Sequence, residues 1–237
     1  MFSNVHIVLV NTSHPGNIGS TARAMKTMGF SNLSLVNPKE FPSIQADALA
    51  VGCTDVLSKA KLYDDISSAL ENSNINIGLS ARTRRASIPS LSIDECVSYI
   101  YKNNKLNISL IFGNESSGLS NDELLTCDYI VSLPTHNDYT SLNLSAAVQI
   151  LLYELHKNSL KKLSKNLTEV ELSSTKEKNF FIKSLISLLE HTKFITSKNR
   201  ISLTKKIHIL FNKSNLEKQE VNMLMGIISS ITKKIKK

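Results

Sequence analysis

The chain has 237 residues, with 28 lysines and arginines against 20 aspartates and glutamates, a formal charge of +8 at pH 7. With 41% hydrophobic and 20% charged residues, it can fill the core of one large domain, or of one domain with a small appendage, which argues against wholesale disorder. No apolar run approaches the ~20 residues that span a bilayer, and Cys53, Cys96 and Cys127 are far apart with no CxxC or Cys/His spacing, so neither a disulfide framework nor a metal site is expected and the cytosol is the expected compartment.

In chain order, MFSNVHIVLV lacks a basic stretch ahead of its apolar residues, so Val5–Val10 reads as a buried strand and not as a signal peptide. Ile18, Ala22, Met25 and Met28 fall on one face of a helix over 18–28. A strand follows at 33–36, ended by Asn37-Pro38, then helices at 44–51 and 66–70. Strands are predicted at 75–79, 108–112 and 129–133, with a helix at 93–101 between the first two. Ser120 with Glu123 three residues on is a capping-box pattern, and 142–157 reads as a long amphipathic helix. Strands alternating with helices at this spacing predict an α/β fold with a parallel sheet. The expected division is a domain over 1–157, a polar linker over 158–176, and a helical extension over 177–237 with helices near 177–194, 200–211 and 215–236. Phe181, Leu185, Leu188 and Leu189 form one apolar stripe there, and Val221, Leu224, Ile228 and Ile231 another.

The charge is divided in the same place. Residues 1–156 carry 10 basic and 14 acidic side chains, net −4, while 157–237 carry 18 and 6, net +12. A basic extension points to an anionic partner, nucleic acid first, against the plainer reading of a solvated lysine-rich face.

In parallel sheets, ligands bind beyond the carboxyl ends of the strands, and four unusual segments leave the predicted strands there. Asn11–Gly19 turns tightly around Asn17 and leads into a helix bearing Arg23, whose guanidinium suits a phosphate; a capped helix with a surface arginine is the alternative. Leu79-Ser80-Ala81-Arg82-Thr83-Arg84-Arg85 concentrates three arginines in an otherwise acidic half, for phosphate contact or simple solvation. Gly113-Asn114-Glu115-Ser116-Ser117-Gly118 brackets a carboxylate with glycines. Pro134–Asn143 offers Tyr139 for stacking on a base, His136 as a candidate general base, and Ser141 and Asn143, either of which is also a natural helix cap.

Together these segments resemble the motifs of the SpoU (SPOUT-class) RNA ribose 2′-O-methyltransferases. NIGSTARAMKTMGF resembles the first motif with Asn17 and Arg23, GNESSGLSNDEL the second with Glu115, and YTSLNLSAAVQILLYEL the third with Ser141 and Asn143. The opening IVLVNTSHPGNIGSTARAMKTMG, the PTHNDYTSLNL loop and the ending EVNMLMGIISSI are similar to the TrmJ subfamily, which methylates cytidine or uridine ribose at position 32 of the tRNA anticodon loop. Two features depart from it: Asn114 and Ser116 stand where the subfamily places basic residues, and the extension uses lysine where the subfamily uses more arginine.

The resemblance implies a SPOUT-type sheet closed by a C-terminal trefoil knot, a homodimer with shared active sites, S-adenosylmethionine (SAM) as methyl donor, tRNA as partner and no metal. It assigns SAM contacts to Leu79, Ser80, Ala81, Gly113, Leu133, Ser141 and Leu142. Arg23, Asn17, Glu115, Ser141 and Asn143 become the catalytic set, and Arg23, Arg82, Arg84, Arg85 and Tyr139 the RNA contacts. Arg23 is expected to clamp the neighbouring phosphate and stabilise developing oxyanion charge, with Asn17, Glu115 and Ser141 orienting Arg23, the ribose or SAM. The alternatives are methylation of ribosomal RNA or another tRNA position, a SAM- or RNA-binding protein without catalysis, and a small-molecule nucleotide enzyme. The intact motif residues speak against the second, and the lack of a glycine-rich phosphate loop against the third.

Overall fold

The strands are near-continuous β-branched and leucine runs because both faces of the sheet they form are covered. Within Val5–Val10 (β1), Ile7 and Leu9 point into one apolar layer while Val8 and Val10 point into another. The same alternation holds in Ile108–Phe112 (β6), where Leu110 and Phe112 join the first layer and Ile111 the second. The computed structural model describes residues 2–80, 88–136, 138–159 and 171–235.

Among the described residues, seven strands make one sheet in which each paired neighbour is parallel. With β2 at Asn32–Val36, β3 at Lys61–Tyr63, β4 at Ile75–Leu79, β5 at Ser90–Leu91 and β7 at Tyr129–Val131, the order is β3-β2-β1-β6-β4-β7-β5. The first layer is covered by helices that include α1 (Pro15–Thr27), α2 (Ile44–Ala50), α3 (Thr54–Ser58), α5 (Ile93–Lys102) and α7 (Leu144–Ser159). The second is covered by α4 (Ile66–Ala69) and α6 (Asn121–Leu124). Helix α1 begins three residues before the predicted start, because Pro15 is preset for a first helical position. The close crossing of α1 over α2 requires glycine: a Cβ on Gly19 would stand 2.0 Å from the Ala46 carbonyl oxygen.

The extension consists of α8 (Thr175–His191), α9 (Arg200–Asn212) and α10 (Lys218–Ile235) around its own core. Phe181, Leu188, Val221 and Ile228 of the predicted stripes are buried in it, whereas Ile231 is 42% exposed; Ile182, Ile186, Ile195 and Leu216 complete it. The residues just ahead of α8 are pinned to the sheet. The Thr175 amide donates to the Ser73 carbonyl at 2.6 Å, Asn76 Nδ2 donates to Thr175 Oγ1 at 2.8 Å, and Asn74 Nδ2 donates to the Leu172 carbonyl at 2.9 Å. At the centre of this contact Lys178 Nζ lies 2.7 Å from Asp128 Oδ1, with side chains only 5% and 1% exposed. Asp128 Oδ2 also accepts from the Asn76 amide at 2.7 Å. Burial pushes the Asp128 carboxyl up, against the pull of the Lys178 ammonium. The extension therefore docks on the amino-terminal edge of β4 and β7 through buried polar groups, its apolar core remaining separate.

Removing one partner of a buried ion pair strands the other charge, at a cost of about 3–5 kcal/mol. Lys178→Met is expected to destabilise the chain by that amount in urea unfolding. Adding Asp128→Asn, which keeps an acceptor for the Asn76 amide, is expected to restore most of it; no recovery in the double variant contradicts this account.

Candidate active site

At the carboxyl edge, β1 and β6 are adjacent in register, with Leu9 opposite Phe112. The loops that follow them therefore start side by side. The β1 loop reaches α1 through His14, whose side chain makes no cap hydrogen bond. A carboxylate from the β6 loop serves instead. Glu115 Oε2 accepts from the Ser13 amide at 2.9 Å and the Ser13 hydroxyl at 2.7 Å. Its Oε1 accepts from the His14 amide at 3.2 Å and Asn17 Nδ2 at 2.9 Å. An anion at this helix end is also favoured by the helix dipole. Partial burial pushes the Glu115 carboxyl up, but the bonds from Asn17 and Ser13 outweigh it and hold the group at about 2, against an ordinary 4.5. Glu115 is thus an ionised anchor at neutral pH.

The third motif joins the same chain of bonds. Asn143 caps α7, its Oδ1 accepting from the Ser145 and Ala146 amides at 3.0 and 3.3 Å. Its Nδ2 donates to Asn17 Oδ1 at 3.0 Å. Of the two predicted cap candidates, Asn143 fills the role, and Asn17 bridges it to Glu115. A second brace lies behind. Asn11, at φ +54°, donates through Nδ2 to Glu123 Oε1 at 2.9 Å, accepts from Asn37 Nδ2 at 3.0 Å, and its carbonyl accepts from Asn114 Nδ2 at 2.7 Å. The Ser120–Glu123 capping box is present. Ser13 and Asn11 were not singled out from the sequence, and Asn114 only as a departure from the subfamily's basic residue: short polar residues in a loop give no periodic signal.

Beside this chain opens a cleft of about 900 Å³, solvent-open space included. It is walled by Leu79, Phe112, Leu133, Leu142, Leu144 and Ala147 and rimmed by Ser80, Thr135, Thr140 and Ser141, with the Gly113–Gly118 loop across it. Gly113 must be glycine, since a Cβ there would stand 2.3 Å from the Gly118 carbonyl carbon and the Leu119 nitrogen; Gly118 has φ +67°. Six of the expected cofactor contacts, Leu79, Ser80, Gly113, Leu133, Ser141 and Leu142, line this one cleft. Ala81, Arg82, Arg84 and Arg85 lie outside the described residues. Arg23 is exposed on α1, and its guanidinium makes no hydrogen bond or ion pair among the described residues, while its carbonyl accepts from the Thr27 hydroxyl at 2.8 Å. Tyr139 is 76% exposed at the tip of the Pro134–Asn143 loop. His136 Nδ1 is 3.6 Å from Asp138 Oδ2, both side chains exposed. Among the described residues, no three His, Cys, Asp or Glu side chains are grouped to hold a metal ion, and no helix is long and apolar enough to cross a membrane.

Residues 4–153 match the SpoU rRNA Methylase family. The chain belongs to that family. Residues 177–237 match the C-terminal domain of the tRNA methyltransferase TrmJ. A protein of Pectobacterium atrosepticum named tRNA (cytidine/uridine-2′-O-)-methyltransferase TrmJ is 43% identical over 98% of each chain. Among solved structures, a probable methylase family protein from Haemophilus influenzae Rd KW20 is 36% identical, with a TM-score of 0.65 over 100% of this chain and 99% of that one. TrmJ from Z. mobilis ZM4 has the same fold, with a TM-score of 0.86 over 96% and 98% of the two chains at 24% identity.

In this SpoU family member the pH dependence of stability has a defined sign. The Glu115 carboxyl is lower in the folded state, so its contribution is complete above about pH 4.5 and is lost as pH falls towards about 2. Glu115→Gln turns one acceptor into a donor facing the Ser13 amide, and is expected to cost about 1–3 kcal/mol at pH 7. Thermal melts from pH 7 to 3 are expected to fall less steeply for Glu115→Gln than for the wild type; parallel curves contradict the assignment.

Proposed function

We propose that this chain transfers a methyl group from SAM to the ribose 2′-oxygen of tRNA, at cytidine or uridine in position 32 of the anticodon loop, acting in the cytoplasm as a homodimer. The observation that carries the reading is the hydrogen-bonded chain Glu115–Asn17–Asn143, which ties all three motif segments together at the mouth of one cleft. The tRNA substrate is supported by the name of relatives at 43% identity over nearly the whole chain, and position 32 by the resemblance of the opening, the PTHNDYTSLNL loop and the ending to the TrmJ subfamily.

The cleft fits SAM: its apolar walls suit an adenine ring, and its hydroxyl rim suits the ribose and the amino-acid tail. Leu79, Leu133 and Leu142 would form the slot, and Ser80, Gly113 and Ser141 the polar contacts, with Ala81 as a further expected neighbour. When bound, SAM would supply an electrophilic methyl group on a sulfonium leaving group, and the proton that the ribose 2′-hydroxyl loses as it takes the methyl would pass to solvent water. What remains for the protein is mostly positioning, which can supply ~7–11 kcal/mol of a barrier. Glu115, with both oxygens occupied by Ser13, His14 and Asn17, fixes the start of α1 and takes no proton. The guanidinium of Arg23, unpaired within the described chain, is free to clamp a phosphate beside the reacting ribose and to stabilise charge on its 2′-oxygen. Tyr139 stacks on an unstacked loop base, and Arg82, Arg84 and Arg85 add phosphate contacts. The trefoil threading belongs to the same proposal, supported by the insertion of β6 between β1 and β4 and by the convergence of three loops on one cleft. Ile150 and Tyr153, 39% and 50% exposed on α7, offer apolar surface for a second copy.

The test is to incubate the protein with SAM and either unmodified tRNA or ribosomal RNA, then map 2′-O-methylnucleosides by mass spectrometry. Methylation of C or U at position 32 is the expected result, with Arg23→Lys losing roughly 100-fold or more in rate because a bidentate contact is lost. Methylation of ribosomal RNA alone overturns the substrate assignment and favours the activity for which the SpoU rRNA Methylase family is named.

A further inference from the structure

The extension's net charge of +12 overstates what it can offer a partner, because many of its cations are already paired. Lys157 is 3.0 Å from Glu154, Lys176 2.5 Å from Glu71, Lys218 2.9 Å from Glu171 and Arg200 2.6 Å from Glu190, while Lys178 is buried against Asp128. Lys183, Lys193, Lys198, Lys205, Lys206, Lys213, Lys233 and Lys234 make no ion pair among the described residues. Five of these eight fall in one stretch: no aspartate or glutamate occurs between His191 and Leu216.

That stretch is built around α9, which has no buried residue. Lys198 and Lys205 are seven residues apart, as are Lys206 and Lys213. Lys205 and Lys206 lie on α9 itself, Lys198 in the turn that precedes it and Lys213 at its carboxyl-terminal cap. All four lysines are exposed. The helix does not lie remote from the chemistry. Asn212 Nδ2 donates to the Leu125 carbonyl at the end of α6, and Arg200, Ile201 and Lys205 share a groove with Asp122 in the first turn of α6. That turn is capped by Ser120, five residues beyond Glu115. The extension is thus anchored at the amino edge of the sheet, and α9 lies beside α6, with its first turn at the end nearer the catalytic loops.

We propose that the acid-free segment around α9, and not the extension as a whole, is the surface that grips the RNA phosphate backbone, through Lys198, Lys205, Lys206 and Lys213. The inference rests on the reading of the chain as an RNA enzyme, and deepens it by separating available from neutralised cations. An exposed, unpaired ammonium releases counterions from a phosphate, whereas a paired one must first break its ion pair.

The test uses the chain over its 237 residues and a fluorescently labelled unmodified tRNA, with affinity measured by anisotropy across a roughly sixfold range of salt, about 50 to 300 mM, which resolves the slope. Replacing Lys198, Lys205, Lys206 and Lys213 by Gln is expected to reduce the slope of log K against log salt by about 3, at ~0.7–0.9 per phosphate contact. SAM binding by calorimetry and the melting temperature are expected to stay unchanged. Replacing the paired Lys157, Lys176 and Lys218 by Gln is expected to change the slope by less than about 1. An unchanged slope in the four-lysine variant, an equal loss in both variants, or binding of anionic phospholipid vesicles in place of RNA overturns the proposal. A parallel methylation assay separates the two claims: salt-dependent tRNA binding through α9 without methyl transfer rejects the activity and leaves this surface standing.

Discussion

The carboxylate of Glu115 is the interaction on which the site depends. It receives four hydrogen bonds from three residues at the start of α1, Ser13, His14 and Asn17, about a hundred residues away in sequence. Without it, the β1 loop has no partner for the Ser13 amide, and α1 lacks an anion at its amino end. Through Asn17 the same carboxylate reaches Asn143, so the capping of α7 and the entry into α1 are set by one network. A group placed this way is pre-organised but already saturated, which is why its ionised form is favoured and why it makes a poor proton acceptor.

The two ends of the sheet carry different work. The carboxyl edge gathers the loops of the cleft, where side chains must be positioned within fractions of an ångström. The amino edge carries Asp128, Asn76 and Ser73, which bind the helical extension through buried polar bonds. A polar junction of this kind specifies one docking geometry, because any shift leaves charges stranded out of water. Fixing α8 in this way also fixes α9, and so the direction in which the cationic surface faces.

Much of this order was legible in the sequence. Val5–Val10, Ile75–Leu79 and Ile108–Phe112 are strands with the predicted bounds because burial on both faces leaves a strong apolar signal. Lys61–Tyr63 and Ser90–Leu91 were missed: strands of three and two residues, largely exposed at the sheet edges, carry no period. The motif residues Asn17, Glu115 and Asn143 were legible as chemistry, but their mutual bonding was not, since it depends on the register of β1 against β6. Ser13 and Asn11 were invisible for the same reason. In the extension, Ile182 and Ile186 are core because α8 is covered on two sides, by its neighbour helices and by the sheet edge, which a single-stripe reading does not anticipate. Residues 171–174 read as linker, yet Leu172 and Ser173 are buried, the Ser173 hydroxyl donating to the Leu216 carbonyl.

The central claim is that Glu115 assembles the site and takes no part in proton transfer. The most direct measurement is the pH dependence of single-turnover methyl transfer to tRNA, from pH 5.5 to 9, in the wild type and in Glu115→Gln. The account predicts two profiles of the same shape, with the variant lower by roughly 100-fold because the loop is misplaced. A profile that loses its pH dependence in Glu115→Gln would show the carboxylate acting on the proton, and would contradict the account.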